Sequence, residues 1–339
     1  MKRELFNDAV INDSISFKID FSEVQLDAQN EHQFDAIYIP SLGLRENLLK
    51  VVEKVSKYAN EIVIIFSGFV PDWIINFSPN NVRIVSNVES VISFERLKSI
   101  KSSKNPSLAF MDDYDLPLKR NYALLDSRVK GYEVIGLIDD DMVFTELDII
   151  KAMKCLSSYA DMVGYYVLDY PDVSTIDHIE RFINQHPSKV SIGGNFLFFK
   201  MDKITGFFPY LYNEDWCFIF SNLISNINIY VCGFVNQLVH EPWKNYNRIA
   251  FEQFGDVVIT GFKQLLANRC DIFNEEIFFW HNIYENYKDR LENLLAKTKD
   301  LEFISVLQHA IICTSTFSPD DILQFVKHYK SEISQNCYV

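Results

Sequence analysis

The sequence predicts an open α/β sheet with helices on both faces, followed by a region built from helices alone. Three observations predict it. The runs "FDAIYIP" (Phe34 to Pro40), "EIVIIFSG" (Glu61 to Gly68) and "EVIGLI" ahead of Asp139 are apolar without the alternation of a half-exposed strand, as strands covered on both faces are. Between the first two, Leu44, Leu48, Val51, Val52 and Val55 fall at helical spacing. From about Ala250 the pattern turns to long helical periods, with Phe251, Phe254, Val258, Phe262 and Leu265 on one stripe.

Taken in order, residues 1–33 are mixed and acidic and form a lead-in without assignable structure. Phe34 to Pro40 is rich in β-branched and aromatic residues and closes on proline, which suits a strand and a turn. A helix over 44–58, a strand from Glu61 to Gly68 and a third strand from Asn81 to Ser86 follow. "LPLKRNYALLDSRVK" reads as a helix with Tyr122, Leu125 and Val129 on its stripe and Gly131 as its stop. The next strand runs into three consecutive aspartates, Asp139, Asp140 and Asp141. "DMVGYYVLDY" and "KVSIGGNFLFFK" read as further strands, the second interrupted by Gly193 and Gly194, and "EDWCFIFSNLI" as a helix. Helices are expected over 275–297, 301–314 and 319–334, with a domain boundary near 246 that separates 34–245 from 246–339.

Composition narrows the function. The chain has 339 residues, 48% hydrophobic and 23% charged, as an ordinary folded protein has. A net charge of −14 and a pI near 5.0 argue against a surface built to neutralise a phosphate backbone, so nucleic acid is not an expected partner. The six cysteines (155, 217, 232, 270, 313 and 337) form no CxxC pair, which argues against zinc sites and disulfide frameworks and fits a reducing cytosol. The start "MKRELFNDAV" lacks an apolar signal core, and no apolar stretch reaches the roughly 18 residues of a membrane span. The expectation is a soluble cytoplasmic protein, with peripheral contact at the inner face of a membrane left open.

Three like charges at the carboxyl end of a strand repel one another, and that end is where open α/β sheets bind ligands. Carboxylate oxygens suit a hard divalent cation such as Mn²⁺ or Mg²⁺, which retains positions for substrate phosphates. The competing reading is a solvated turn, or a cap for the helix beginning near Glu146.

"LPLKRNYALLDSRVKGYEVIGLIDDDMVF" resembles the central part of nucleotide-sugar-dependent glycosyltransferases of the GT-A fold, family 2-like, where an "ARN"-like helix precedes a strand ending in a DxD motif. "SIGGNFLFFKMDKITGFFPYLYNEDWCFIF" resembles the acceptor-side pattern of that family, and "LVHEPW" its metal-ligating histidine. The resemblance runs from about Phe34 to Trp243. It implies a Rossmann-like mixed sheet of the GT-A type over 34–245 and transfer of a sugar from a nucleoside diphosphate sugar, UDP-linked ahead of GDP-linked, to a carbohydrate or glycolipid hydroxyl. Surface polysaccharide or glycolipid synthesis is the natural setting.

Residue by residue, it implies that Asp139 contacts the ribose or base, that Asp141 and His240 bind the metal, and that Asp140 is a spacer facing the donor sugar. Arg120 and Asn121 would lie near the nucleotide. Asp215 would be the base of an inverting transfer and Glu214 its acceptor-positioning partner, although Asp215 also suits a helix cap. Gly193, Gly194 and Asn195 would form a wall close to the sugar, or a strand bulge; Trp216 and Trp243 would stack on a sugar ring, or serve as core. "EPWKNYNR" would be a loop that orders over the donor.

Two features depart from the family pattern. The second strand ends in "FSG" rather than an aspartate, which leaves Ser67 or backbone to read the base, and the processive signature QxxRW is absent, which implies single additions. Retaining chemistry stays open and would remove the base role of Asp215. The helices after 246 would shape the acceptor site, mediate a homodimer or dock on a membrane-linked acceptor. Two rival readings remain. "LIDDDMV" also fits the nucleophile motif of haloacid-dehalogenase-like phosphatases, with Ser191, Lys200 and "PDD" at 319–321 as the other parts, and a catalytically inert GT-A-like binding protein is the second rival.

Overall fold

The computed structural model describes residues 18–19, 33–43, 46–68, 70–75, 80–88, 114–168, 174–185, 192–238 and 241–336. In chain order the strands are β1 (Lys18–Ile19), β2 (Phe34–Ser41), β3 (Ala59–Phe66), β4 (Val82–Ser86), β5 (Val134–Ile138), β6 (Met142–Val143), β7 (Met162–Leu168), β8 (Phe196–Lys200) and β9 (Ile229–Gln237). The helices used below are α1 (Asn47–Val55), α2 (Leu116–Lys130), α3 (Glu146–Ser158), α4 (Thr175–Asn184), α5 (Glu214–Ile224), α6 (Tyr246–Ala267), α7 (Ile277–Lys297), α8 (Leu301–Thr314) and α9 (Pro319–Asn336).

Among the described residues the strands form one nine-stranded sheet in the order β1-β9-β7-β8-β5-β2-β3-β4, with β6 paired to β9. β2, β3, β4 and β5 run parallel, whereas β8 lies antiparallel between β5 and β7. The expected α/β sheet is therefore mixed, with helices on both faces and a helical region at the C-terminal side. Along β2, Ile37 and Ile39 enter one buried apolar cluster while Ala36 and Tyr38 enter the other. Both faces are dry, which is why the strand sequences read as unbroken apolar runs. α1 and α3 cover one face; α2, α4 and α5 cover the other together with the C-terminal helices, and that second cluster runs from Val63 in β3 to Tyr329 in α9. The change of pattern near 246 is thus the start of α6, across which the apolar core continues.

The helices after 246 lie within two residues of their expected bounds, and the α6 stripe Phe251, Phe254, Val258, Phe262 and Leu265 is buried throughout. Gly131 closes α2 at φ 69°, a conformation glycine adopts without strain. The stripe expected on α2 needs correction: Val129 is 88% exposed, whereas every residue from Pro117 to Leu124 is buried. The first two turns of α2 are enclosed on all sides, so a one-sided pattern does not describe them. α4 and β9 lie outside the elements read from sequence.

Candidate active site

Chain order reverses between β2 and β5, because β3 and β4 extend the sheet one way and β8 the other. The crevice at the carboxyl ends of these two strands is a topological switch point, the place where such sheets leave room for a ligand. Asp139, Asp140 and Asp141 leave β5 at that crevice and splay apart. Ser41, the last residue of β2, donates its hydroxyl to Asp140 Oδ2 at 2.6 Å, which spans the switch point. Asn47 at the start of α1 donates to the carbonyls of Asp140 and Met142 at 3.2 and 2.9 Å. Asp141 turns toward β9, where its Oδ2 accepts from Gln237 Nε2 at 2.9 Å. Asp139 turns toward α2 and accepts Arg120 Nη2 at 3.0 and 3.3 Å.

The aspartates are therefore neither a solvated turn nor a helix cap. α3 begins instead on Thr145, whose N–H donates to Asp148 at 2.8 Å in a capping box.

Arg120 also faces the acidic pair. Its Nη1 donates to Glu214 Oε1 at 2.6 Å, and both side chains are nearly inaccessible at 3% and 2%. Tyr114 donates to the other Glu214 oxygen at 2.9 Å. One guanidinium thus serves a buried carboxylate and a half-buried one, with Asp215 close by. Burial and the charge of Asp215 push Glu214 up to about 8 against the pull of Arg120, and burial with the neighbouring aspartates pushes Asp139 up to about 7. Asp215 is more open, and its two oxygens accept the Gly194 and Trp216 amides at 2.7 and 2.8 Å. Glycine at 194 is a packing requirement: a Cβ there would lie 2.8 Å from Arg120 Cζ and from Asp215 Cβ.

Two clefts meet along Tyr114, Leu116 and Asp139. One, of about 650 Å³, is lined by Ser41, Lys119, Asp139, Asp140, Asp141 and Gln237 among others. The other, of about 510 Å³, is lined by Arg120, Gly193, Asn195, Tyr212, Glu214, Asp215 and Trp216 among others. Each contains a buried polar oxygen with no hydrogen-bond partner among the described residues, Gln237 Oε1 in the first and Asn195 Oδ1 in the second. Among the described residues no group of three or more His, Cys, Asp or Glu is arranged to hold a metal ion by itself. Carboxylate oxygens lining an open cleft are the donors a hard cation takes while it completes its shell with substrate phosphates, and Asp141, turned away from Arg120, is the one that fits the expected group. His240 lies outside the described residues.

Several expected residues sit elsewhere. Asn121 is buried, and its amide clasps the Phe208 backbone, donating to the carbonyl at 2.7 Å and accepting from the N–H at 3.0 Å. It braces a loop and does not face the clefts. Trp243 is buried in a short helical turn (Pro242–Lys244), with its ring 5.6 Å from Phe182 and 5.8 Å from His178. It is core, and the segment around it is not an open loop. Replacing Trp243 with alanine should cost about 3–5 kcal/mol in a denaturant melt and leave ligand affinity unchanged.

Trp216 does line the second cleft, but the Lys263 ammonium lies 4.3 Å from its ring centre. Ser67 sits beside the first cleft, donating to Asp115 at 3.0 Å and accepting from Lys119 at 2.5 Å. Ser41, Tyr114, Lys119 and Gln237 were not singled out from sequence. Lys119 adjoins Arg120 in "KRN", and burial pulls its ammonium pKa down; its partner Asp115 lies one turn back, but its other partners, Ser41 O and Ser67, come from distant segments.

The phosphatase reading loses its lysine, because β8 runs antiparallel to β5 and pairs Lys200 with Val134 at the far end of the strand from the aspartates. Ser191 lies outside the described residues, and Asp321 is occupied at the start of α9, accepting from Ser318 at 2.7 Å.

No protein-family model and no curated protein sequence matches the chain. Solved structures do match in shape. Glucosyl-3-phosphoglycerate synthase of M. tuberculosis is similar at a TM-score of 0.48 and 10% identity, over 75% of this chain and 88% of that one. A Desulfovibrio desulfuricans G20 protein described as a nucleotide-diphospho-sugar transferase gives a TM-score of 0.35 at 10% identity, over 76% and 97%. The 4-diphosphocytidyl-2C-methyl-D-erythritol synthase of Anaerococcus prevotii gives 0.37 at 14%, over 59% and 87%. No transferase family is assigned by these likenesses.

Proposed function

We propose that the protein is a glycosyltransferase that moves a sugar from a nucleoside diphosphate sugar to a hydroxyl of a carbohydrate or glycolipid acceptor, with inversion and one addition at a time. The observation that carries this reading is the double ion pair of Arg120, which joins the aspartate turn after β5 to the acidic pair that opens α5. Two chemistries that a sugar transfer needs side by side, a diphosphate site and an acceptor base, thereby adjoin along one shared wall.

In this reading the first cleft takes the nucleoside diphosphate. Asp141 would hold Mn²⁺ or Mg²⁺, which when bound neutralises charge on the departing diphosphate, and Asp139 would face the ribose or base. The second cleft takes the sugar and the acceptor, with Asn195 Oδ1 available to a hydroxyl. Asp215, more open than Glu214 and held by two backbone amides, accepts the proton of the attacking hydroxyl. Glu214, buried between Arg120 and Tyr114, orients the acceptor edge of the cleft.

Release of nucleoside diphosphate from a panel of UDP- and GDP-sugars, with and without Mn²⁺ and with a mixed glycan acceptor, tests the reading. Metal-dependent release from one donor supports it. Inorganic phosphate freed from p-nitrophenyl phosphate, with no release from any donor, would replace it with a phosphatase. Inactivity in both assays alongside tight nucleotide binding would favour a catalytically inert binding protein.

A further inference from the structure

We infer that α6, the first helix of the C-terminal region, sets the geometry of the acidic pair, with Asp256 as a positioning residue that acts through Asn213. The inference rests on the proposed function where it assigns chemistry to Glu214 and Asp215. The contacts themselves stand apart from it.

Asn213 immediately precedes α5 and sits at φ 65°, a left-handed conformation that asparagine tolerates better than most residues. A residue held there fixes the direction in which the next two carboxylates leave the chain. Its side chain is anchored, with Nδ2 donating to Asp256 Oδ1 at 2.9 Å. Next to Asp256, Gly255 lies so close that a Cβ would sit 2.1 Å from the Tyr212 carbonyl oxygen. Helix backbone therefore rests directly on the backbone of the turn.

One turn earlier, Phe251 packs on Tyr114 with ring centres 4.5 Å apart, and Tyr114 is the phenol that donates to Glu214. Another turn back, Arg248 places its guanidinium 5.6 Å from the Tyr212 ring. Residues 248, 251, 255 and 256 follow helical spacing, so a single face of α6 supports the turn and the partner of Glu214 together.

Asp256 is itself fixed from α7. Its Oδ2 meets Tyr287 Oη at 3.1 Å, and Tyr287 Oη reaches Gln253 Oε1 at 3.0 Å. Burial, with the charges of Asp177 and Glu252, pushes Asp256 up to about 8, which leaves its carboxyl largely protonated at neutral pH. A protonated Oδ2 donates to Tyr287, Tyr287 donates to Gln253, and Oδ1 is left to accept from Asn213. A carboxamide offers the same pattern of one donor and one acceptor, so Asp256→Asn should preserve the anchor that Asp256→Ala removes.

The test measures hydrogen exchange of amides 212–216 and of β5 by mass spectrometry in the wild type, Asp256→Ala, Asp256→Asn and Asn213→Ala. Exchange at 212–216 should rise about tenfold or more in Asp256→Ala and Asn213→Ala, stay within about twofold in Asp256→Asn, and remain unchanged in β5. In a transfer assay the two alanine variants should lose about tenfold or more in kcat with donor KM within about threefold, and Asp256→Asn should recover most of it. Unchanged exchange at 212–216 in both alanine variants would overturn the inference, as would equal loss of kcat in Asp256→Asn and Asp256→Ala. If Asp256→Ala does not fold, Asn213→Ala carries the same comparison from the other side of the bond. A wild type that binds no nucleotide with metal would remove the proposed chemistry, and the exchange data would still decide the role of α6.

Discussion

Arg120→Leu should cost roughly 3–5 kcal/mol of folding stability and abolish activity, the range expected when one partner of a buried charge network is removed. The guanidinium is 3% exposed and ion-paired to Glu214 and Asp139, so leucine leaves two carboxylates facing each other without a cation. The cost should depend on pH, with a definite sign. Both carboxyls already titrate above their ordinary range, near 8 and 7, and Arg120 is the group that holds them down.

Without Arg120 they rise further, and the folded variant keeps protons that its unfolded chain releases. The stability gap to the wild type should therefore stay nearly level below about pH 6, where both folded forms hold these protons, and widen as pH rises through 7 and 8. Adding Glu214→Leu should restore part of the stability and none of the activity, because an apolar replacement removes the buried carboxyl left without its partner. Denaturant melts of both variants between pH 5 and pH 8 check this. A gap that widens toward acid would contradict the charge assignment.

Asp215→Asn should lower kcat by about 10²–10⁴-fold while donor binding changes by no more than about threefold, because a base acts on the acceptor hydroxyl and not on the diphosphate. The substitution also disturbs structure, since both Asp215 oxygens accept backbone amides and a carboxamide can accept through one atom only. Exchange of the 193–195 amides in the same variant separates that effect from loss of the base. A fall in kcat below about tenfold would remove Asp215 from the base role and point to retaining chemistry, in which the aspartate turn keeps its part.

The fold was legible in sequence wherever burial was simple. Strands buried on both faces read as apolar runs, and the stripe on α6 read at helical spacing because one side of that helix faces the core. α4 and β9 were not read, since one falls in a mixed polar segment and the other is a strand interrupted by Gly233. The aspartate turn stood out because three like charges after an apolar strand have no cheap structural explanation.

What the sequence could not show was direction. Lys119, Arg120 and Asn121 are consecutive on one helix and so point about 100° apart. One reaches the ends of β2 and β3, the next the acidic pair, the third the Phe208 loop. A motif read as a unit therefore splits into three unrelated tasks. The pairing of Arg120 with Glu214, across 94 residues of chain, arises only once the sheet is assembled. Trp243 misled for a related reason: residue type alone does not distinguish a ring that stacks on sugar from one that packs on Phe182.

The proposed transfer requires the aspartate turn to bind a nucleoside diphosphate through a divalent cation. Calorimetric titration of UDP and of GDP, each with and without Mn²⁺, into the wild type and Asp141→Ala tests it most directly. One nucleotide should bind only with metal, and Asp141→Ala should lose this binding by about a hundredfold or more. Binding that ignores metal, or that survives in Asp141→Ala, would contradict it.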